Sequence, residues 1–141
     1  MFHELVSDPG THTGAELYDA LESELVAAVE QGGVESVAAE TDVDPATLEA
    51  LVAGDAPELT LEEAASVLAT TEPDTAADIV ALSRDALMMG MSRAVLDVDA
   101  LAAAADGDLE PREIQSKLEG RFPMTLREFA VLHATIQSRL E

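Results

Sequence analysis

Apolar residues recur with a helical period along most of this chain. The clearest stripe repeats every four residues near the start and consists of Leu17, Leu21, Leu25 and Val29. This spacing predicts one buried face of a helix, because residues four apart lie on the same side of an α-helix. We expect the helix to end at the glycine pair 32–33, since glycine adopts the left-handed conformation that commonly closes a helix.

Short helices with clear capping signals follow this first helix. Residues 34–41 predict a helix of about two turns, and a third helix opens at Asp44, which is followed by a proline, and runs to Gly54. Thr60 and Glu63 have the spacing of a capping box, in which each side chain accepts a hydrogen bond from the other residue's backbone N–H. This box predicts the start of a fourth helix.

The second half of the chain repeats this order of elements. A long helix is expected from Asp74 to about Val95, a short one over 98–105, a third after Glu110, and a fourth after a second capping box at 125–128. Corresponding positions are 64 to 66 residues apart, so Asp42 is matched by Asp106 and Leu68 by His133, and the added residues, Asp108 and Leu109, fall in a turn. Insertions confined to turns are typical of a structural repeat.

These patterns predict an all-α fold made of two tandem four-helix units packed as one compact body. The first unit spans residues 14–71 and the second spans 72–141. Residues 1–13 have no repeating apolar pattern, so we expect a flexible N-terminal arm. A chain of 141 residues can bury one sizeable core or two small ones, which excludes a large multidomain enzyme.

The charge balance points to a cytoplasm of high salt. Asp and Glu number 29 against 7 Lys and Arg, for a formal net charge of −22. Molar salt shortens the Debye length to about 3 Å and screens such self-repulsion. Together with the low lysine content, this composition is similar to that of haloarchaeal proteins. The chain has no cysteine, no apolar run of membrane-spanning length and no signal-peptide pattern, so we expect a cytoplasmic protein.

Residues 34–69 resemble the helix-turn-helix of the Cro and lambda-repressor type, and residues 98–134 do so more weakly. The resemblance rests on a small Ala38 near the turn and on Val43, Leu48 and Leu51, whose spacing places them between two crossing helices. The chain departs from the pattern where Asp42 replaces the usual turn glycine. The whole chain also resembles a family of small haloarchaeal proteins of unknown function.

The resemblance implies that residues 45–53 and 111–119 would be the DNA-reading helices. The first offers mainly acids and alanines, which repel phosphate, so DNA contact is expected from the second unit. The candidate nucleic-acid-binding residues there are Arg112, Gln115, Ser116, Lys117 and Arg121. An alternative stays open in which these bases pair with Glu113, Glu119 and Glu128 on a solvated face.

Two functional hypotheses therefore remain. The first is a non-catalytic DNA-associated regulator, which could act as a homodimer. The second is a protein-interaction module that uses an acidic helical surface and binds no nucleic acid, for which the candidate partner-binding residues are Glu49, Asp55, Glu58, Met88 and Met91. The two methionines flank Gly90 in the long helix, where core packing is the simpler interpretation.

No enzymatic chemistry is predicted. His3, His12 and His133 are far apart in sequence and have no carboxylate at metal-ligand spacing, so neither a metal site nor a cofactor is expected. We expect His133 to be partly buried, and the chain has no phosphate-binding loop or catalytic histidine pattern.

Overall fold

The computed structural model describes residues 2–105 and 109–140, and within these ranges the chain forms eight α-helices and no β-strand. The helices are α1 (Gly14–Gly32), α2 (Val34–Thr41), α3 (Pro45–Ala53), α4 (Leu61–Ala69), α5 (Ala76–Ala94), α6 (Val98–Ala104), α7 (Pro111–Leu118) and α8 (Leu126–Ser138). The all-α prediction is confirmed. Two short 3-10 turns, Phe2–Glu4 and Pro9–Thr11, precede α1.

Side-chain caps fix the starts of most helices. Both predicted capping boxes form, at Thr60 with Glu63 and at Thr125 with Glu128. Helix α3 ends at Gly54 with a φ of 83°, as expected for a left-handed helix terminus. Helix α5 starts two residues later than predicted, because the side chain of Thr75, rather than Asp74, caps the helix.

Two backbone hydrogen bonds join the segments that lead into α4 and α8. The N–H of Leu61 donates to the carbonyl oxygen of Met124 at 2.7 Å, and the N–H of Leu126 donates to that of Leu59 at 2.9 Å. Each of these residues sits next to one of the capping threonines, which face each other as an antiparallel bridge. Positions matched in the repeat alignment therefore meet directly in space.

The helices pack across the boundary between the two predicted units. The most extensive helix contacts are those of α1 with α8 and of α4 with α5. The first helix of each half thus packs against the last helix of the other half. Helix α8 also packs against α5, and α1 against α4, so the long and terminal helices surround one core.

Small residues let these helices approach closely. A methyl group added at Gly14 would lie 2.8 Å from Cγ2 of Val131, and one added at Gly90 would lie 2.8 Å from Cγ2 of Ile136. Both contacts are shorter than a side chain tolerates, so glycine is required where α1 and α5 touch α8.

The N-terminal segment differs from the flexible arm expected for residues 1–13. Phe2 is fully buried, with its ring 6.2 Å from that of Phe129, and its backbone N–H donates to Oγ of buried Ser83 at 3.4 Å. Residues 9–11 also pack on α8. The prediction missed this packing because a short irregular segment buries single side chains without any repeating pattern.

The turn between the second and third helices of the first half keeps the conformation that a helix-turn-helix requires. Asp42 takes the left-handed conformation, with a φ of 60°, at the position where the helix-turn-helix pattern has glycine. Asp and Asn adopt this conformation more readily than most residues, so the substitution keeps the turn. The predicted counterparts in the second half, Asp106 and Asp108, lie outside the described residues.

Two phenylalanines provide a matched test of the packing of the N-terminal segment. We expect Phe2→Ala to lower the free energy of unfolding by about 3 kcal/mol, because a buried phenyl ring is lost. Phe122→Ala, at a position 61% exposed, should change it by less than about 0.5 kcal/mol. Chemical denaturation of both variants measures the difference, and equal small losses would show that Phe2 adds nothing to stability.

Candidate functional site

Helix α7 is anchored by its apolar face, and the predicted nucleic-acid-binding residues lie on this helix and in the loop that follows it. Ile114 and Leu118 are buried in the core, so the rotation of the helix is fixed. Arg112, Gln115 and, in the loop after the helix, Arg121 are exposed, whereas Ser116 and Lys117 are half-buried. The structure therefore brings all five predicted residues onto one helix and the adjoining loop.

Most of this polar cluster is paired with carboxylates of the protein itself. Lys117 forms an ion pair with Glu128, with 2.5 Å between Nζ and Oε2, and Arg121 forms one with Glu119. The amide of Gln115 donates to the same Glu119 carboxylate at 2.6 Å. The alternative of pairing is thus confirmed for Lys117 with Glu128 and for Arg121 with Glu119, whereas Glu113 forms no ion pair within the described residues.

The Lys117–Glu128 pair also belongs to the framework of the fold. The other oxygen of the Glu128 carboxylate accepts the backbone N–H of Thr125 at 2.9 Å, closing the capping box of α8. Lys117 occupies the position of buried Leu51 in the repeat, and its side chain is only 16% exposed. Its alkyl stem replaces the leucine while its ammonium group joins α7 to the start of α8.

Arg112 differs from the other two bases of the cluster. It is exposed, and no carboxylate within the described residues forms an ion pair with it. It lines a groove of about 450 Å³ together with Ser116, Lys117, Phe122 and Pro123. Glu110 and Glu113 also line the groove, which thus combines cations, carboxylates, a hydroxyl group and an exposed aromatic ring.

Sequence reasoning did not single out Phe122. The chain has only four aromatic residues, and the other three, Phe2, Tyr18 and Phe129, are buried. Phe122 precedes a proline in a short loop, where no periodicity distinguishes an exposed apolar side chain from a buried one. Two features of the sequence could have drawn attention to Phe122: aromatic residues are rare in this chain, and this one lies in a loop.

The alternative partner-binding residues are not all at the surface. Glu49, Asp55 and Glu58 are exposed, on α3 and in the loop that follows it. On α5, Met88 is 41% exposed, but Met91 is 8% exposed and belongs to the core. Grouping the two methionines in one binding surface was therefore wrong, since residues three apart straddle the edge of the buried face.

Metal-binding and membrane-spanning features are absent from the described parts of the chain. Within residues 2–105 and 109–140, no group of three or more His, Asp or Glu side chains is arranged to hold a metal ion. No helix in the same ranges has both the length and the hydropathy to cross a bilayer.

Comparison with protein families gives a single assignment. Residues 17–139 match the model of DUF5791, described as a family of unknown function. The chain belongs to this family. The match runs from the second turn of α1 to the end of α8, so the DUF5791 unit includes both halves of the structure. No curated protein and no solved structure matches the chain.

A buried histidine lies elsewhere in this DUF5791 protein. His133 in α8 is 4% exposed and stacks on Phe129, with ring centroids 5.4 Å apart and planes 20° from parallel. Burial lowers the pKa of His133 from 6.5 to about 4, and the positive charge of His3 adds to the shift while a backbone contact with His3 opposes it. The imidazole is therefore neutral near pH 7 and is more deeply buried than predicted.

A double-mutant cycle tests whether Lys117 is committed to the fold. We expect the Lys117→Met and Glu128→Gln substitutions to show a coupling free energy of about 1–2 kcal/mol, because the pair is mostly shielded from water. The matched cycle on the exposed Arg121–Glu119 pair should give less than about 0.5 kcal/mol. Urea denaturation measures both couplings. Equal values would contradict a structural role for Lys117.

The lowered pKa of His133 predicts a loss of stability in acid. The imidazole of His133 takes up a proton near pH 6.5 in the unfolded chain and only near pH 4 in the folded chain. The stability that comes from keeping it neutral is therefore fully present above pH 6.5 and is lost as the pH drops toward 4. Its full size is on the order of 3 kcal/mol. His133→Leu, which introduces the side chain found at the matching Leu68, should lose less stability than wild type between pH 7 and pH 4.5. His12→Gln serves as the control, and identical acid slopes for wild type and His133→Leu would contradict the prediction.

Proposed function

We propose that this protein is a non-catalytic interaction module that binds a partner protein through the groove beside α7. The observation that carries the proposal is the exposure of Phe122, at 61%, in a chain whose other aromatic side chains are all buried. Aromatic residues and arginine are enriched among the residues that dominate protein–protein binding energy. Phe122 and Arg112 supply both types at one groove.

The groove suits a partner segment that brings an apolar side chain and a carboxylate. The partner's apolar side chain would pack on Phe122 and Pro123, while its carboxylate would pair with Arg112, the cation of the groove that has no ion pair within the described residues. Ser116 adds a hydroxyl group on the same wall. Nearby Glu110 and Glu113 would disfavour a partner with more than one carboxylate at this position.

DNA binding is the second candidate, and exposed Arg112 is the observation that favours it. Guanidinium groups contact phosphates and guanine edges, and Arg112 is the second residue of the proposed reading helix. DNA would have to displace Glu128 from Lys117 and Glu119 from Arg121 to engage the remaining bases. That cost, together with the net charge of −22, makes the protein partner the better-supported proposal.

Site-specific photo-crosslinking distinguishes the two candidates. Phe122 is replaced by the photoreactive benzoylphenylalanine in the full-length tagged protein, which keeps an aromatic ring in the groove, and Val52, a 37% exposed residue of α3, is replaced as the control. The cells are irradiated, and adducts are purified at molar KCl with and without nuclease. We expect one nuclease-resistant protein adduct at position 122, none at position 52, and at least a tenfold decrease when Arg112→Ala is added.

Each other outcome contradicts the protein-partner proposal. An adduct at position 122 that nuclease removes would identify nucleic acid and support the DNA-binding candidate. An adduct with a second copy of this chain would identify the groove as a homodimer contact. Absence of any adduct at position 122, in cells where the protein is abundant, would remove the groove as a binding surface.

A further inference from the structure

A second cavity lies between α5, α8 and the N-terminal segment. It has a volume of about 460 Å³, within the range of small-molecule sites. Its lining includes His3, Leu82, Met89, Arg93, His133 and Gln137. The residues that define the α7 groove take no part in it, so the two sites are separate.

His133 gives this cavity a buried polar group that the protein satisfies poorly. Neither ring nitrogen makes a well-formed hydrogen bond within the described residues, although only 4% of the residue is exposed. The His3 backbone approaches the ring, which leaves at least one nitrogen for a ligand. A buried polar group whose hydrogen bonds are not satisfied destabilises the folded protein. The matching Leu68 in the first half is equally buried, so packing at this position does not require an imidazole. The unused hydrogen-bonding capacity of His133 indicates a ligand.

Arg93 supplies a charge at the same cavity. It is exposed on the last turn of α5, and within the described residues no carboxylate forms an ion pair with it, despite the 29 acidic residues of the chain. Asp85 also lines the cavity, but it lies eight residues earlier on α5, about 12 Å away along the helix axis. An anionic group is therefore favoured at the Arg93 end.

The remaining walls are suited to an apolar ligand body. Leu82 and Met89, which line the cavity, are 45% and 65% exposed. Large apolar side chains left open to solvent beside a concave surface are typical of ligand-binding sites. The flexible thioether of Met89 can adapt to a ring or a branched chain.

We infer that this cavity binds a small organic carboxylate whose anionic group pairs with Arg93, whose apolar body packs on Leu82 and Met89, and which accepts a hydrogen bond from His133. This site would let a small molecule bind independently of the α7 groove. Neutral imidazole has one N–H donor and guanidinium has several, so together they match the acceptor oxygens of a carboxylate.

Three probes with the same apolar body test the assignment. The full-length protein, labelled with ¹⁵N, is titrated with 3-phenylpropionate, 3-phenylpropionamide or 3-phenylpropylamine, while the imidazole resonances are followed by NMR. We expect a saturable shift of the His133 resonances with the carboxylate, and at least tenfold weaker binding of the amide and the amine. His12, which does not line the cavity, should not shift.

Substitutions at the surface make the test independent of the core. Arg93→Gln should weaken binding of 3-phenylpropionate at least tenfold, whereas Arg139→Gln, an exposed arginine outside the cavity, should change it less than about twofold. The His133→Leu variant should no longer bind 3-phenylpropionate if it folds. If it does not fold, the affinity of Arg93→Gln tests the site.

The inference is overturned by any of three results. These are the absence of saturable shifts with 3-phenylpropionate up to about 10 mM, preference for the amine over the carboxylate, and unchanged affinity in Arg93→Gln. Any of them would leave His133 as a packing residue without a ligand.

Discussion

The antiparallel bridge between Thr60 and Thr125 is the constraint on which the rest of this fold depends. Its two backbone hydrogen bonds fix the starting points of α4 and α8 relative to each other, and the capping boxes at the same threonines fix the direction in which each helix leaves. Once these two helices are placed, α1 can pack on α8 and α5 on α4. The carboxylate of Glu128, which completes one box, also holds Lys117 and so positions α7.

This arrangement explains why most basic residues are unavailable to a partner. Lys117, Arg121 and Arg84 each form an ion pair with a carboxylate of the chain, and Arg127 lies over the ring of Tyr18, 4.1 Å from its centroid. In a chain with so many acids, a base that lacks such a contact is the exception. Within the described residues Arg93, Arg112 and Arg139 have no such contact, and the first two each line a concave surface.

The sequence predicted the local structure well because local structure depends on local signals. The stripe from Leu17 to Val29, the proline after Asp44 and the two Thr–Glu boxes each involve residues within a few positions of one another, and all appear in the structure. The burial of Phe2 could not be predicted, since it depends on Phe129 and Ser83, which are far away in sequence. The candidate sites differ in the same way. The cluster on α7 was visible as a run of polar residues, and the groove at Phe122 is built within residues 110–123, but no local pattern showed that the ring of Phe122 is exposed. The cavity at His133 arises only when distant segments meet.

The packing of the first helix of each half on the last helix of the other half affects how the chain folds. Helix α1 is synthesised well before α8, the helix on which it packs most extensively. The apolar face of α1 therefore stays without its main neighbour until α8 has been synthesised, and contacts of such long sequence separation slow folding. The high density of carboxylates on the first half reduces aggregation during that interval, because nascent chains of like charge repel each other.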